Sequence, residues 1–436
     1  MTYNIIDFGA VSDGKTLCTT ALQKAIDQCS ADGGGRVLIP AGRFISGSIY
    51  LKSGVDLHLE MGAELLASGN LDDYNPLDAY PQNADGLSEN WVGKHLIMVI
   101  EQENVAITGL GKINGNGESF LVSSVAPARE MPYVWMDGVR EVKDKEKLRP
   151  GQLICFIESK NLFVSDITIV NAPCWCLFFH GCENVRVRGL YIDNDKTFLN
   201  TDGIDIDCSR FVTVSDCNIK TGDDCIAIRT GSARIKNKLP CEYITVNNCN
   251  FSSSASGFRI GVGTGHIRHV RVSGITIEKT AFPLNFMTAY RGRGEAFIED
   301  VNFSDISVTY CAFPILLQGE CGAIRDITIE NYRANSIASV RIDPESPCEG
   351  KERVLPDSLC DIGNITIKDT EINIIKEERE VTEEMKDYRG REMVYVGPCG
   401  PVRFENFRLT SENEEDFEKR ISVSEKADVR FIGCEI

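Results

Sequence analysis

Ser165-Asp166-Ile167-Thr168-Ile169, Arg188-Gly189-Leu190-Tyr191-Ile192 and Ser215-Asp216-Cys217-Asn218-Ile219 are three copies of one short pattern. Each has Asp, Asn or Gly, then an apolar residue or Cys, a polar residue and another apolar residue. The pattern returns as Asn248-Cys249-Asn250-Phe251, Gly274-Ile275-Thr276-Ile277 and Asp305-Ile306-Ser307-Val308. It recurs again as Asp326-Ile327-Thr328-Ile329 and Asn364-Ile365-Thr366-Ile367. Successive copies are 23, 27, 32, 26, 31, 21 and 38 residues apart. Period-two alternation marks a strand with one buried face. Repeats of this length with no helix between them do not suit βαβ units; they suit a solenoid whose rungs stack strand on strand. The expectation is an all-β chain, a right-handed parallel β-helix. Cys217 and Cys249 share the column of Leu190, Ile275 and Ile306, so they are expected inside as small hydrophobes.

Working outward, Thr20–Cys29 places Ala21, Leu22, Ala25, Ile26 and Cys29 on one helical face. Thr19 or Thr20 is the expected cap, and Gly33-Gly34-Gly35 the stop. This helix is read as the lid of the solenoid. Residues 1–436 are expected to form one β-helix domain, with loop insertions near 71–100, 118–152 and 376–392.

Composition narrows the function. The formal net charge is -18, which disfavours nucleic acid and anionic membranes as partners. No stretch is long and apolar enough to span a membrane. The 17 cysteines are odd in number and show no metal-like CxxC pairing. With no signal-like segment at Met1–Asp7, they are read as free thiols in a cytoplasmic protein. No cofactor or metal is expected.

The chemistry is concentrated in two segments. Asn200-Thr201-Asp202-Gly203-Ile204-Asp205-Ile206 and Gly222-Asp223-Asp224-Cys225-Ile226-Ala227-Ile228 align with a shift of 22 residues, close to one rung. Asp202 then stacks on Asp224, with Asp223 beside them. Like charges at a rung spacing of roughly 4.8 Å cannot all ionise cheaply, so one carboxyl is expected to hold its proton. A glycosidase needs such a pair: a protonated acid for the leaving oxygen and an ionised base for water. A structural Asp ladder or a calcium site is the competing reading.

These two motifs on this repeat resemble glycoside hydrolase family 28, the polygalacturonase family. The resemblance covers most of the chain. It includes Asp7-Phe8-Gly9-Ala10, Gly35-Arg36-Val37-Leu38-Ile39-Pro40-Ala41-Gly42, Arg149-Pro150 and Asn171-Ala172-Pro173-Cys174-Trp175. It implies an inverting hydrolase in which Asp223 is the general acid, while Asp202 and Asp224 position and activate the water. Inversion sets an expected acid–base separation of roughly 6.5–9.5 Å.

The family pattern is broken around this trio. A Gly-His-Gly motif would fall where Ser254-Ala255-Ser256 stands, and an Arg-Ile-Lys motif where Asn285-Phe286-Met287 stands. Losing two carboxylate-clamping cations removes charge-assisted hydrogen bonds. Sugar recognition is therefore expected to differ from that of polygalacturonases. Asn200, Arg259, Arg291, Arg293, Trp175 and Glu320 are the candidate substrate-binding residues. Arg259, Arg291 and Arg293 are the candidate replacement cations, Trp175 a stacking platform or groove wall, and Glu320 the occupant of a groove tyrosine's place. His266 and His269 are read as structural or solvated rather than catalytic.

The expected substrate is a pectin-derived oligosaccharide of galacturonate or rhamnogalacturonan type. Exo-action is expected if the loops at 71–100 and 118–152 wall off one end of the groove. A non-catalytic carbohydrate-binding β-helix, or a β-helix lyase or transglycosylase, is the alternative.

Overall fold

The computed structural model describes residues 1–76, 91–126, 138–143, 148–231, 235–237, 239–290, 294–345, 359–375, 394–411 and 421–436. Arg291, Arg293, the 376–392 excursion and the middle parts of the 71–100 and 118–152 segments lie outside them. Two compact units are present. The first runs through Met1–Pro127, Asp137–Asp223 and Ala233–Leu239; the second contains Asp224–Ser232 and Pro240–Ile436. Each winds as a right-handed parallel β-helix.

In the first unit one column of strands is Ile97–Ile100, Ile154–Ile157, Leu177–His180 and Ile204–Asp207, all parallel and in register. A second column carries Glu103–Gly109, Lys160–Ser165, Glu183–Arg188 and Arg210–Ser215. A third carries Lys112–Asn114, Thr168–Val170, Tyr191–Asp193 and Asn218–Thr221. Inward positions repeat the same residue types, as in Ile154, Leu177 and Ile204, so each rung buries its apolar side against the next.

The helix Thr19–Ala31 buries the five residues expected of it. Its start differs from the expectation. Cys18 is the cap, without a side-chain bond to the helix. Thr19 Oγ1 instead accepts from Gly47 N at 2.8 Å, tying the helix to the chain that follows a neighbouring strand. Gly33 and Gly34 take φ of 92° and 101° and turn the chain away.

The second unit repeats the design. The strands Ile226–Gly231, Ser256–Thr280, Phe282–Met287, Ile315–Gln318 and Val340–Asp343 supply its first column. Ala227, Arg259 and Asn285 fall in one row of that column, as the sequence alignment requires. Cys217 and Cys249 are buried inside their respective units.

Corners are made by residues in the left-handed region. Asn104, Asn161, Asn184 and Phe211 form one corner of the first unit; Asp166, Gly189 and Asp216 form another. Asn and Asp accept this backbone because their short side chains bond locally. They also bond along the corner: Asn161 Nδ2 donates to Asn104 Oδ1 and Asn184 Nδ2 to Asn161 Oδ1, both at 3.1 Å.

This corner rule corrects the repeat. In the second unit Asn248, Gly274, Asp305, Asn331 and Asp369 make one corner, while His269, Asp300, Asp326 and Asn364 make the other. Ile306 therefore pairs with Tyr332, whereas Ile327 pairs with Val301. The step from Ile306 is 26 residues (306 to 332), not 21. The copies beginning at Asp326 and Asn364 sit one corner earlier than the others. Both corners need a left-handed residue followed by in–out–in alternation, so one five-residue pattern serves either.

Sixteen described cysteines are free thiols, fourteen of them buried. Burial pushes the thiols of Cys176, Cys182 and Cys311 up to about 12. Native protein at pH 8 is expected to react slowly with a disulfide reagent at these three positions, as peptide mapping would show. Rapid labelling of any of them would contradict the packed interior.

Phe258 is fully buried, with Phe251 and Phe303 each 5.2 Å away between centroids. Phe258→Ala is expected to destabilise by about 3–5 kcal/mol, seen as a lower urea midpoint. An unchanged midpoint would remove the aromatic stack from the account of core stability.

Candidate active site

The segment before the strand Ile204–Asp207 presents Asp202, and the turn after Asn218–Thr221 presents Asp223. Both are buried. Backbone bonding fixes Asp202, whose carbonyl accepts from Cys176 N at 2.8 Å. Thr201 links the two segments: its Oγ1 donates to Phe198 O at 2.8 Å and accepts from Gly222 N at 2.9 Å. Gly222 is required there, because a Cβ would lie 2.1 Å from Phe198 O. Thr221 Oγ1 donates to Asp223 O at 2.6 Å. The motif's small and hydroxyl residues thus lock two backbone turns together.

The Asp223 carboxylate accepts from Asn200 N at 3.2 Å. Asn200 has φ 56° and its Oδ1 accepts from Arg149 Nη2 at 2.7 Å. Its amide is thus an anchor for Asp223, and its side-chain oxygen is taken up by a buried arginine. Asp202 and Asp223 offer carboxylate oxygens within 4.8 Å of each other. This is a closest approach between oxygens, a smaller quantity than the separation of roughly 6.5–9.5 Å between carboxyl groups that inversion needs. The Thr201–Gly222 link ties the two turns that carry them.

Asp224 is the next residue in the chain and is buried in the second unit. Its Oδ2 lies 2.5 Å from Arg259 Nε. Arg259 Nη1 meets Met287 Sδ at 2.9 Å. Arg259 was expected as a replacement cation facing a substrate carboxylate. Its guanidinium pairs with the buried Asp224 carboxylate, since an unpaired buried charge is costly.

Around it the altered positions are as the alignment places them. Ala255 is buried among Phe282, Phe313 and Leu316. Asn285 is buried, with Nδ2 3.4 Å from Ser256 Oγ. The place of an imidazole and two cations is taken by an apolar bank, an amide and a thioether.

Two further expectations change. Trp175 is 8% exposed, packed edge-on against Phe178 at 5.4 Å and tilted against Trp91 at 6.1 Å. It is an internal wall, not an open stacking platform, because its neighbours take up its faces. Glu320 is 1% exposed and offers no open groove surface. His266 stacks on Phe297, and His269 bonds Asp300 at 2.7 Å.

The sequence reading missed a plug in the first unit. Outward-facing Cys155, Ile157 and Phe178 are buried with Trp91, Cys174, Trp175, Cys208 and Ile235. His180 and Asp207 beside them are buried too, with His180 Nδ1 3.6 Å from Asp207 Oδ2. Ile235 is held over this face by Lys236 pairing with Glu101 and by Asn237 N donating to Glu158 Oε1 at 2.9 Å. The signal was present: Ile154-Cys155-Phe156-Ile157 and Leu177-Phe178-Phe179 are unbroken apolar runs, the mark of a strand buried on both faces.

Comparison with known proteins agrees with this geometry. Residues 29–376 match the profile of the glycosyl hydrolases family 28. A probable polygalacturonase of Vitis vinifera is 28% identical over 335 residues, covering 74% of this chain and 64% of that protein. An exo-poly-alpha-D-galacturonosidase of Dickeya chrysanthemi is 32% identical over 291 residues, covering 60% of this chain and 48% of that protein. This chain thus spans less than two thirds of the length of either relative. The family 28 exopolygalacturonase structure from Yersinia enterocolitica superposes with a TM-score of 0.64 at 21% identity, covering 100% of this chain and 77% of that one. A profile match over most of its length, on this fold and through these two aspartate motifs, places the chain in glycosyl hydrolases family 28.

Proposed function

We propose that the chain is an exo-acting, inverting glycoside hydrolase of pectin-derived oligosaccharides. The observation that carries this reading is an anchored pair of acidic side chains beside a closed face. Asp202 and Asp223 stand within 4.8 Å, and the outward surface of the rungs preceding Asp202 is filled by Trp91, Trp175, Phe178 and Ile235. A polymer has no open surface there to lie on, whereas a chain end needs none. Exopolygalacturonases among the relatives and solved neighbours support the same mode.

In this reading Asp223 donates its proton to the glycosidic oxygen as the C1–O bond breaks. Water attacks C1 from the opposite face, and Asp202 orients it and takes its proton. The Asn200 amide steadies the carboxylate that Asp223 becomes.

Substrate choice follows from the second unit. The positive charge of Arg259 is engaged by Asp224, and Asn285 and Met287 carry none. A uronate carboxylate gains little there, which favours a neutral or modified pectic sugar such as a rhamnogalacturonan fragment. The net charge of -18 favours short substrates over a long polyanion. Free buried thiols suit a reducing, cytoplasmic setting in which such fragments have been imported.

Two measurements test this. Asp223→Asn is expected to lower kcat on the best pectic oligosaccharide by about 10²–10⁴-fold, with sugar binding by calorimetry retained. Sugar binding with no hydrolysis by the unaltered protein on any pectic oligosaccharide would favour the non-catalytic alternative. Early products of a hexasaccharide are expected to be single sugars or one fixed short unit from one end, with the inverted anomer in the first proton NMR spectra. A spread of mid-length products would refute exo-action, and a retained anomer would refute the water-attack step.

A further inference from the structure

We propose that Arg149 is a positioning residue for Asp223, acting through the peptide unit between Leu199 and Asn200. The proposal rests on the reading of Asp223 as the acid, but its geometry stands independently of substrate. Arg149 is buried in the first unit, on the two-residue strand Arg149–Pro150 that pairs with Trp91–Val92. Its Nη1 donates to Leu199 O at 2.6 Å and to Pro173 O at 2.9 Å. Its Nη2 donates to Asn200 Oδ1 at 2.7 Å.

Leu199 O and Asn200 N belong to one peptide unit. In a trans peptide the carbonyl and the amide point in opposite directions, so the guanidinium grips one end while the other donates to Asp223 Oδ2 at 3.2 Å. A cation on the carbonyl draws electron density from the amide and strengthens its N–H as a donor. The Asn200 side chain adds a second grip. It holds the residue at φ 56°, a left-handed conformation that Asn tolerates but few other residues do. The peptide is therefore fixed in position, orientation and polarity. Lysine cannot copy this, since a single ammonium does not span three acceptors in a planar fork.

The test joins kinetics on a pectic oligosaccharide to a 13C NMR titration of the Asp223 carboxyl, assigned with Asp223→Asn. Arg149→Met is expected to lower kcat by about ten- to a hundred-fold, with KM within about two-fold. Asp223 is expected to titrate at higher pH, because the N–H that favours its ionised form is no longer held. Arg149→Lys falls between Met and the unaltered protein. Asn200→Gly keeps the N–H and tolerates the positive φ, so its loss is only a few-fold, in the same direction. These two milder variants carry the test if Arg149→Met does not fold. An Asp223 midpoint that stays put in folded Arg149 variants overturns the proposal. Absence of hydrolysis by the unaltered protein overturns the hydrolase reading instead, and the titration then decides the role of Arg149 alone.

Discussion

Parallel hydrogen bonding between successive rungs is the constraint on which everything else in each unit depends. It makes each strand position either inward or outward and repeats that choice from rung to rung. Ile154, Leu177 and Ile204 are inward together; Cys155, Phe178 and Asp205 are outward together. The corners obey the same rule, since a left-handed residue, most often Asn, Asp or Gly, recurs above its predecessor. Register is therefore the quantity that turns a sequence into an address on the surface.

The candidate site exploits that address. Asp202 and Asp223 come from turns at adjoining rungs, and Thr201 with Gly222 fastens those turns at backbone contact. Neither aspartate depends on a long flexible side chain for its place. Behind Asp223 stands a buried guanidinium that reaches it through a peptide group. Beside Asp224, Arg259 is consumed by pairing inward. The two arginines show how burial decides the use of a charge: one becomes support for the amide at Asp223, the other a partner for Asp224.

Much of the fold was legible because alternation and turn residues are local signals. The capping helix face, the inward cysteines and the row Ala227–Arg259–Asn285 could all be read from spacing. The repeat beginning at Asp326 misled because two corners of a solenoid impose the same local pattern. Only the pairing of Ile306 with Tyr332 separates them. The plug was written in unbroken apolar runs, yet what covers those runs comes from Trp91 and Ile235, far off in sequence.

By itself the sequence determined the architecture and singled out the three aspartates, which are matters of residue type and spacing along one chain. The missing imidazole and paired cations were legible only against the pattern of the family it resembles. The tertiary structure alone decided which side chains are available. It packed Trp175 into a wall and buried Glu320. It also turned Arg259 toward Asp224 and set Arg149 against the peptide that holds Asp223. The physical reason is that exposure and pairing depend on segments brought over a face from elsewhere in the chain, and a buried charge settles on whatever acceptor that packing puts within reach.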